Sequence, residues 1–328
     1  MARYYLNAES RALVVSTEIT GYAASTLAYL YKRTGEPRFL ERAALTASFL
    51  TTAPAWNAAL ETHPFELAKN SPGYFFDCGI VVRGLLAVWR ITGESRLLDV
   101  ALAAGRSMAR LYLTPAAIHP IIALPACEPR PYEKSWSREP GCFQLKSALA
   151  WRDLSHITGG DQTLAVYWRQ ALSLALAGDP HFLPGVTERP KVMDRLHAYS
   201  YYMEALLAER SPLLAAAMAR TARYLQSIAP EFARSDVYAQ LLRVRLYADA
   251  WGIVGLDRAA ASEEASAIAA FQYSMPDPRF DGGYCFGRRE GELLPFVNPV
   301  STGFCLQALD MWEQHQAGCF EPGLSDLI

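Results

Sequence analysis

The chain has 328 residues, of which 51% are hydrophobic and 20% charged, and its formal net charge is -2. This is the composition of a globular protein with a large core, and the near balance of charge gives no electrostatic ground for binding nucleic acid. No run approaches the roughly 18 apolar residues of a membrane span. The opening MARYYLNAESRALVV has no basic segment followed by a continuous apolar stretch, so a cytoplasmic location is expected.

The predicted elements come in pairs. TEITGYAASTLAYLYKRTGEPRFLERAALTASFL reads as a helix, a tight turn at TGEP and a second helix. FFDCGIVVRGLLAVWRITGESRLLDVALAAGRSM and CFQLKSALAWRDLSHITGGDQTLAVYWRQALSLAL repeat the pattern around TGES and TGGD. Two fainter copies are MDRLHAYSYYMEALLAERSPLLAAAMARTARYLQSI and SDVYAQLLRVRLYADAWGIVGLDRAAASEEASAIAAF, and NPVSTGFCLQALDMWEQHQAG supplies a sixth first helix. First helices such as Ile19 to Tyr31 and Ile80 to Ile91 are apolar or aromatic nearly all round, as a helix packed on every side must be. Second helices are amphipathic: in Arg38 to Leu50, Leu40, Ala43, Ala47 and Leu50 face inward while Glu41 and Arg42 face outward. Six buried helices within an amphipathic layer describe an all-α fold, an (α/α)6 toroid formed by residues 1–328 as a single domain. The sixth outer helix is missing after Gly318, and the segment from Leu6 to Val15 is expected to fill that gap. No convincing run of period two competes with this reading.

That repeat pattern resembles the six-hairpin toroid families: the (α/α)6 glycosidases, related sugar epimerases and polysaccharide lyases, and the squalene cyclase and prenyltransferase group. The resemblance covers nearly the whole chain and implies an axial pocket as the place of function.

Loop lengths point to the same end of the helices. Turns within hairpins are a few residues long, whereas the connections Thr51 to Tyr74, Tyr112 to Gly141, Gly178 to Met193, Ala229 to Ser235 and Tyr273 to Pro299 are mostly much longer. Long loops without structure of their own are usually functional, and alternating helix direction puts these on one rim. The N-terminal ends of the first helices open onto that rim, where Glu18, Asp77, Asp194 and Asp236 fall near helix starts, with Gln144, Lys146, Asn298 and Ser301 in the remaining two. Each acid is also what a helix N-cap or first turn favours, so a ring of caps and a ring of catalytic carboxylates are both open.

In MDRLHAYSYYMEALL, Asp194, His197 and Tyr201 stand at i, i+3 and i+7 on one helix face. A carboxylate, an imidazole and a phenol can serve together as acid, base and orienter, and a buried polar stripe is the alternative. Arg195 is expected either to bind an acidic substrate or to balance Glu18 or Asp236. The loop CEPRPYEKSWSREPGCF combines Tyr132 and Trp136 with Arg130, Lys134 and Arg138, the mix needed to stack on sugar rings and to bind acidic groups. His63, His119 and His181 lie in other rim loops without metal-ligand spacing, and at least two are expected at the surface. The six cysteines include no CxxC pair, and neither a metal site nor a cofactor is expected.

The last long loop contains RFDGGYCFGRREGELLPFVNP, from Arg279 to Pro299. It lacks the strand-to-helix context of a phosphate loop, and Asp281, Tyr284 and Asn298 are expected to line the pocket mouth.

These residues support a carbohydrate-active enzyme using carboxylate and histidine acid-base chemistry on an oligosaccharide or uronic-acid-containing glycan. Asp194 with His197 are the candidate acid and base, with Glu18, Asp77 or Asp236 as partner. Two alternatives stay open. AFQYSMPDPRFDGGYCFG resembles the glutamine, aspartate-glycine-glycine and aromatic pattern of isoprenoid enzymes, although neither DxDD nor DDxxD occurs and Asp281 and Cys285 are weak zinc ligands. A non-catalytic scaffold is the other.

Overall fold

The computed structural model describes residues 1–6, 9, 11–133, 135–183, 188–277 and 281–328. Eleven α-helices are present among them, and they match the pairs read from the sequence: α1 Thr17–Thr34, α2 Pro37–Leu50, α3 Phe75–Thr92, α4 Ser95–Tyr112, α5 Leu145–Ile157, α6 Gln162–Phe182, α7 Arg189–Leu206, α8 Leu213–Ile228, α9 Ser235–Ala250, α10 Arg258–Ala269 and α11 Pro299–Gln316. Odd-numbered helices are the first members of hairpins, even-numbered ones the second. The tight turns end α1 and α3 on Gly35 and Gly93, whose φ of 68° and 71° is the left-handed region that glycine enters without cost.

The chain forms two compact units, residues 1–3 with 14–179, and residues 4–13 with 180–328. In the first, α3 is packed on nearly every side, with every residue from Phe75 to Leu86 buried, and it touches α1, α2, α4 and α5. α2 buries only Ala43, Ala47 and Leu50, the stripe expected of an outer helix. Small residues let the inner helices approach closely. A Cβ on Gly84 of α3 would stand 2.5 Å from the carbonyl oxygen of Gly21 in α1, and one on Gly79 would stand 2.5 Å from Ser147 of α5. Backbone cannot retreat as a side-chain tip can, so Gly84→Ala is expected to destabilise the protein by about 1–3 kcal/mol, measured as a lower urea midpoint with unchanged slope.

In the second unit α7, α9 and α11 form the buried layer, and α8 and α10 cover it. Residues 4–13 join this unit through β-pairing: β1 Tyr5–Leu6 lies between β2 Arg11–Ala12 and β9 Phe296–Val297. The segment expected to fill the place of a sixth outer helix is therefore a short hairpin of strands, attached just before α11. Beyond α11 the chain folds back: Tyr247 Oη donates to Gly323 O at 3.0 Å, Gln307 Nε2 donates to Asp326 O at 2.6 Å, and Leu327 and Ile328 are buried.

Two further three-stranded antiparallel sheets occur, one in each unit. They are β3 Gly73–Tyr74, β4 Ile121–Ala123 and β5 Glu128–Pro129, and β6 Phe232–Arg234, β7 Gly287–Arg289 and β8 Glu292–Leu293. The reading of Arg279 to Pro299 as strandless is thus corrected, because β7, β8 and β9 lie within it. Strands of two or three residues are too short to show an alternation in sequence. Their role is positional: β3 and β6 lead directly into α3 and α9, fixing the first turns where Asp77 and Asp236 lie.

Candidate functional site

In the second unit a charged cluster forms where β6 meets α9. Arg234 ends β6 and Asp236 lies in the first turn of α9, two residues later. The guanidinium forks onto the carboxylate, Nε to Oδ1 at 3.0 Å and Nη2 to Oδ2 at 2.7 Å, and its Nη1 donates to Asp194 Oδ1 of α7 at 3.0 Å. Such a bidentate pair is both strong and oriented. One turn beyond Asp194, His197 places Nδ1 at 2.8 Å from Gln240 Oε1 and at 3.5 Å from Asp236 Oδ2. The ring of Tyr201 meets the imidazole edge-on at 4.6 Å between centroids, and Ser301 of α11 donates to Asp236 Oδ2 at 3.4 Å. The helical stripe of Asp194, His197 and Tyr201 therefore does converge with Asp236 in one cluster.

Electrostatics assign a state to each member. Burial opposes ionisation of Asp236, but Arg234, His197 and Ser301 outweigh it and hold the carboxyl below its ordinary range. Arg234 stays charged because Asp236 and Asp194 overcome the same penalty. Burial pushes His197 down to about 4 despite Asp236, with Arg234 adding to the depression, so the imidazole is neutral at neutral pH. Two acceptors, Gln240 Oε1 and Asp236 Oδ2, face Nδ1, an arrangement that suits a proton on that nitrogen.

A second cluster lies in the first unit at the starts of α1 and α3. Asp77 is 4% exposed, and its Oδ2 has no hydrogen-bond partner among the described residues. Burial, followed by the nearby Glu18 carboxylate, pushes Asp77 well above the ordinary carboxylate value, and burial raises Glu18 as well, with Arg3 opposing both. Arg3 is also 3.5 Å from Glu66 and 4.4 Å from the centre of the Phe65 ring. Burial and Asp77 raise Tyr74 in turn. Since the raised carboxyl binds its proton more tightly folded than unfolded, its contribution to stability is full below the unfolded value of about 4 and is lost as pH rises through the folded one. Asp77→Asn is therefore expected to stabilise the protein by about 1–2 kcal/mol at neutral pH and to flatten the decline above about pH 4, read from thermal unfolding across pH.

Helix starts differ in one respect from the sequence reading. First-turn acids occur in α1, α3 and α9, but α7 begins at Arg189, with Pro190 in its first turn, so Asp194 lies more than a turn inside the helix. None of the three first-turn acids is the N-cap residue; those positions hold Ser16, Tyr74 and Arg234.

The remaining candidates are engaged elsewhere. Arg195 Nη1 donates to Phe182 O at 2.9 Å, so the counter-ion of Asp236 is Arg234 and not Arg195, because only Arg234 stands at the end of the strand feeding α9. Gln144 bridges Gly141 N and Ile118 O, Asn298 caps α11 through Val300 N, and Asp281 Oδ1 accepts from Met275 N. Tyr284 is buried, its amide donates to Thr302 Oγ1, and burial raises its phenol to about 12. Tyr132 is exposed, with its hydroxyl 2.8 Å from His119 Nδ1, while Trp136 packs edge-on against Phe143 and Arg138 pairs with Glu133. Lys134 lies outside the described residues. His63 is buried with Nε2 on Leu50 O, whereas His181 is exposed. Cys285 donates to Gly287 O and Leu294 O, and among the described residues no group of three or more histidine, cysteine or acidic side chains is placed to hold a metal ion.

Arg234 and Gln240 were not singled out by sequence reasoning. Gln240 follows Asp236 by four residues on α9, a spacing that puts both on one face, whereas Arg234 sits in a strand too short to be recognised.

The hairpin order defines the fold as an all-α (α/α)6 toroid, and solved structures with the same fold superpose on nearly the whole chain. Several solved structures share it. A cellobiose 2-epimerase from Bacillus thermoamylovorans superposes with a TM-score of 0.70 at 10% identity, covering 94% of this chain and 92% of its own. A cellobiose 2-epimerase from Spirochaeta thermophila gives 0.68 at 14% identity, over 92% of this chain and 87% of its own. An unsaturated glucuronyl hydrolase from Bacillus sp. GL1 gives 0.67 at 15% identity, over 96% and 91%. No protein-family model matches the sequence, and no curated protein matches it. No helix among the described residues is long and apolar enough to cross a membrane.

Proposed function

We propose that the protein is a carbohydrate-active enzyme in which His197 moves a proton on a sugar. The observation that carries this reading is the convergence of Gln240 Oε1 at 2.8 Å and Asp236 Oδ2 at 3.5 Å on Nδ1 of His197, with the Asp236 carboxylate ion-paired to Arg234. Proton abstraction beside a sugar carbonyl needs a base that is unprotonated at working pH and held in one orientation, and this imidazole meets both requirements. Asp194, whose side chain is 47% exposed, is the carboxylate of the cluster open to a ligand, and Arg234 fixes its position. The names of the structures sharing the fold, two cellobiose 2-epimerases and a glucuronyl hydrolase, support a saccharide as the substrate class.

The raised Asp77 carboxyl, whose Oδ2 has no hydrogen-bond partner among the described residues, favours a second reading, glycoside hydrolysis, in which one carboxyl protonates the leaving oxygen and a second acts as base or nucleophile. Glycan-array binding tests the shared premise. The wild type is expected to bind a defined set of neutral or acidic glycans and Asp194→Asn to weaken that binding; absence of binding to any glycan would remove the saccharide reading.

A further inference from the structure

Gln240 is wholly buried on α9, with its carbonyl on His197 and its amide nitrogen, Nε2, without a hydrogen-bond partner among the described residues. An orphaned buried donor is costly, and turning the amide over would move the orphan from nitrogen to oxygen, ordinarily the milder arrangement. Here that turn has a second consequence. It would aim an N–H at Nδ1, which would have to give up its own proton and direct a lone pair at the Asp236 carboxylate 3.5 Å away. The ionised Asp236, held by Arg234 on both oxygens, thus favours the amide orientation seen, in which both acceptors face Nδ1 and the amide nitrogen is left without a partner among the described residues. Among the described residues, the charged groups acting on the ring are Asp236 and Arg234 from the β6–α9 segment and Glu204 from its own helix, the last paired with Arg243 of α9.

We propose that Gln240 is a positioning residue that, together with Asp236, locks His197 in the form protonated on Nδ1 and presents Nε2 as the proton-accepting nitrogen. A buried amide whose nitrogen has no partner among the described residues is not explained by packing alone, because an apolar side chain of the same length would fill the space without an unmet donor. The consequence for catalysis rests on the reading of His197 as the proton-moving group; the tautomer itself does not, and it is measured without any substrate.

The test is nitrogen NMR of the full chain labelled at histidine, comparing wild type with Gln240→Met and Gln240→Glu. The wild type is expected to show His197 protonated on Nδ1. Gln240→Met is expected to melt no earlier than wild type, having lost the orphaned donor, yet to show a mixture of the two tautomers. Gln240→Glu, which keeps an acceptor in that place, is expected to retain the Nδ1–H form. Should the methionine variant not fold, Gln240→Asn, which withdraws the amide by one methylene, reports the same change. A wild-type ring protonated on Nε2, or a tautomer unchanged on removing the contact, overturns the proposal. A protein that turns over no sugar while showing the expected spectra would instead overturn the proposed function and leave this inference standing.

Discussion

Replacing Arg243 with alanine is expected to destabilise the protein by about 3–5 kcal/mol, the largest stability effect of any single substitution considered for this chain. Arg243 is fully buried on α9, paired through Nη2 with the fully buried Glu204 of α7. Its Nη1 donates to Gln307 Oε1 of α11 at 2.8 Å, and its guanidinium lies 4.1 Å from the centre of the Phe304 ring. Gln307 in turn holds the backbone of Asp326 and Ile328, so one guanidinium ties three inner helices to the end of the chain. Removing it takes a counter-charge away from a fully buried carboxylate. Substituting both partners by methionine should recover most of the loss, since neither charge then has to be desolvated. Denaturant unfolding of the single and double variants checks this, and a single variant costing under about 1 kcal/mol would show the pair to be solvated in a way its burial does not indicate.

His197→Ala is expected to lower turnover by about 10²- to 10⁴-fold, the range typical of a lost acid or base. The pH dependence carries a second signature. With the ring at about 4, the basic form persists through the neutral range, and activity should fall only on the acid side as the ring protonates. Stability has the same direction: the unfolded histidine takes its proton first, near pH 6.5, so the contribution of a buried neutral ring is complete above that pH and is lost as pH falls toward about 4. The alanine variant should lack that acid-side decline.

The fold was largely legible because each hairpin shows both a helical period and a turn signal. TGEP and TGES end helices on glycine, and the contrast between an all-round apolar α3 and the narrow stripe of α2 separates inner from outer helices. What escaped was short or non-local. The three small sheets use strands of two or three residues, and pairings such as Tyr5 with Val297 join segments far apart in the chain. The beginning of α7 was placed too late, because Pro190 opens a helix as readily as it ends one.

The candidate site divides along the same line. Asp194, His197 and Tyr201 share one helix and therefore show their common face in the sequence. Asp236 was found as a first-turn acid, yet its partner Arg234 belongs to a strand that only tertiary structure defines. The expectation that Asn298 and Gln144 line the mouth came from their positions at helix starts, where the structure gives both of them backbone hydrogen bonds to satisfy. Position at a rim is a weaker guide than the hydrogen bonds a side chain has already made.

The most direct test of the account is proton NMR of a panel of mono- and disaccharides incubated with the protein in deuterium oxide, beside the His197→Ala variant. The account predicts that at least one sugar is converted or takes up deuterium at carbon, and that the variant loses this by about 10²-fold or more. A panel left unchanged by the wild type, or converted equally by the variant, would contradict the assignment of sugar chemistry to His197.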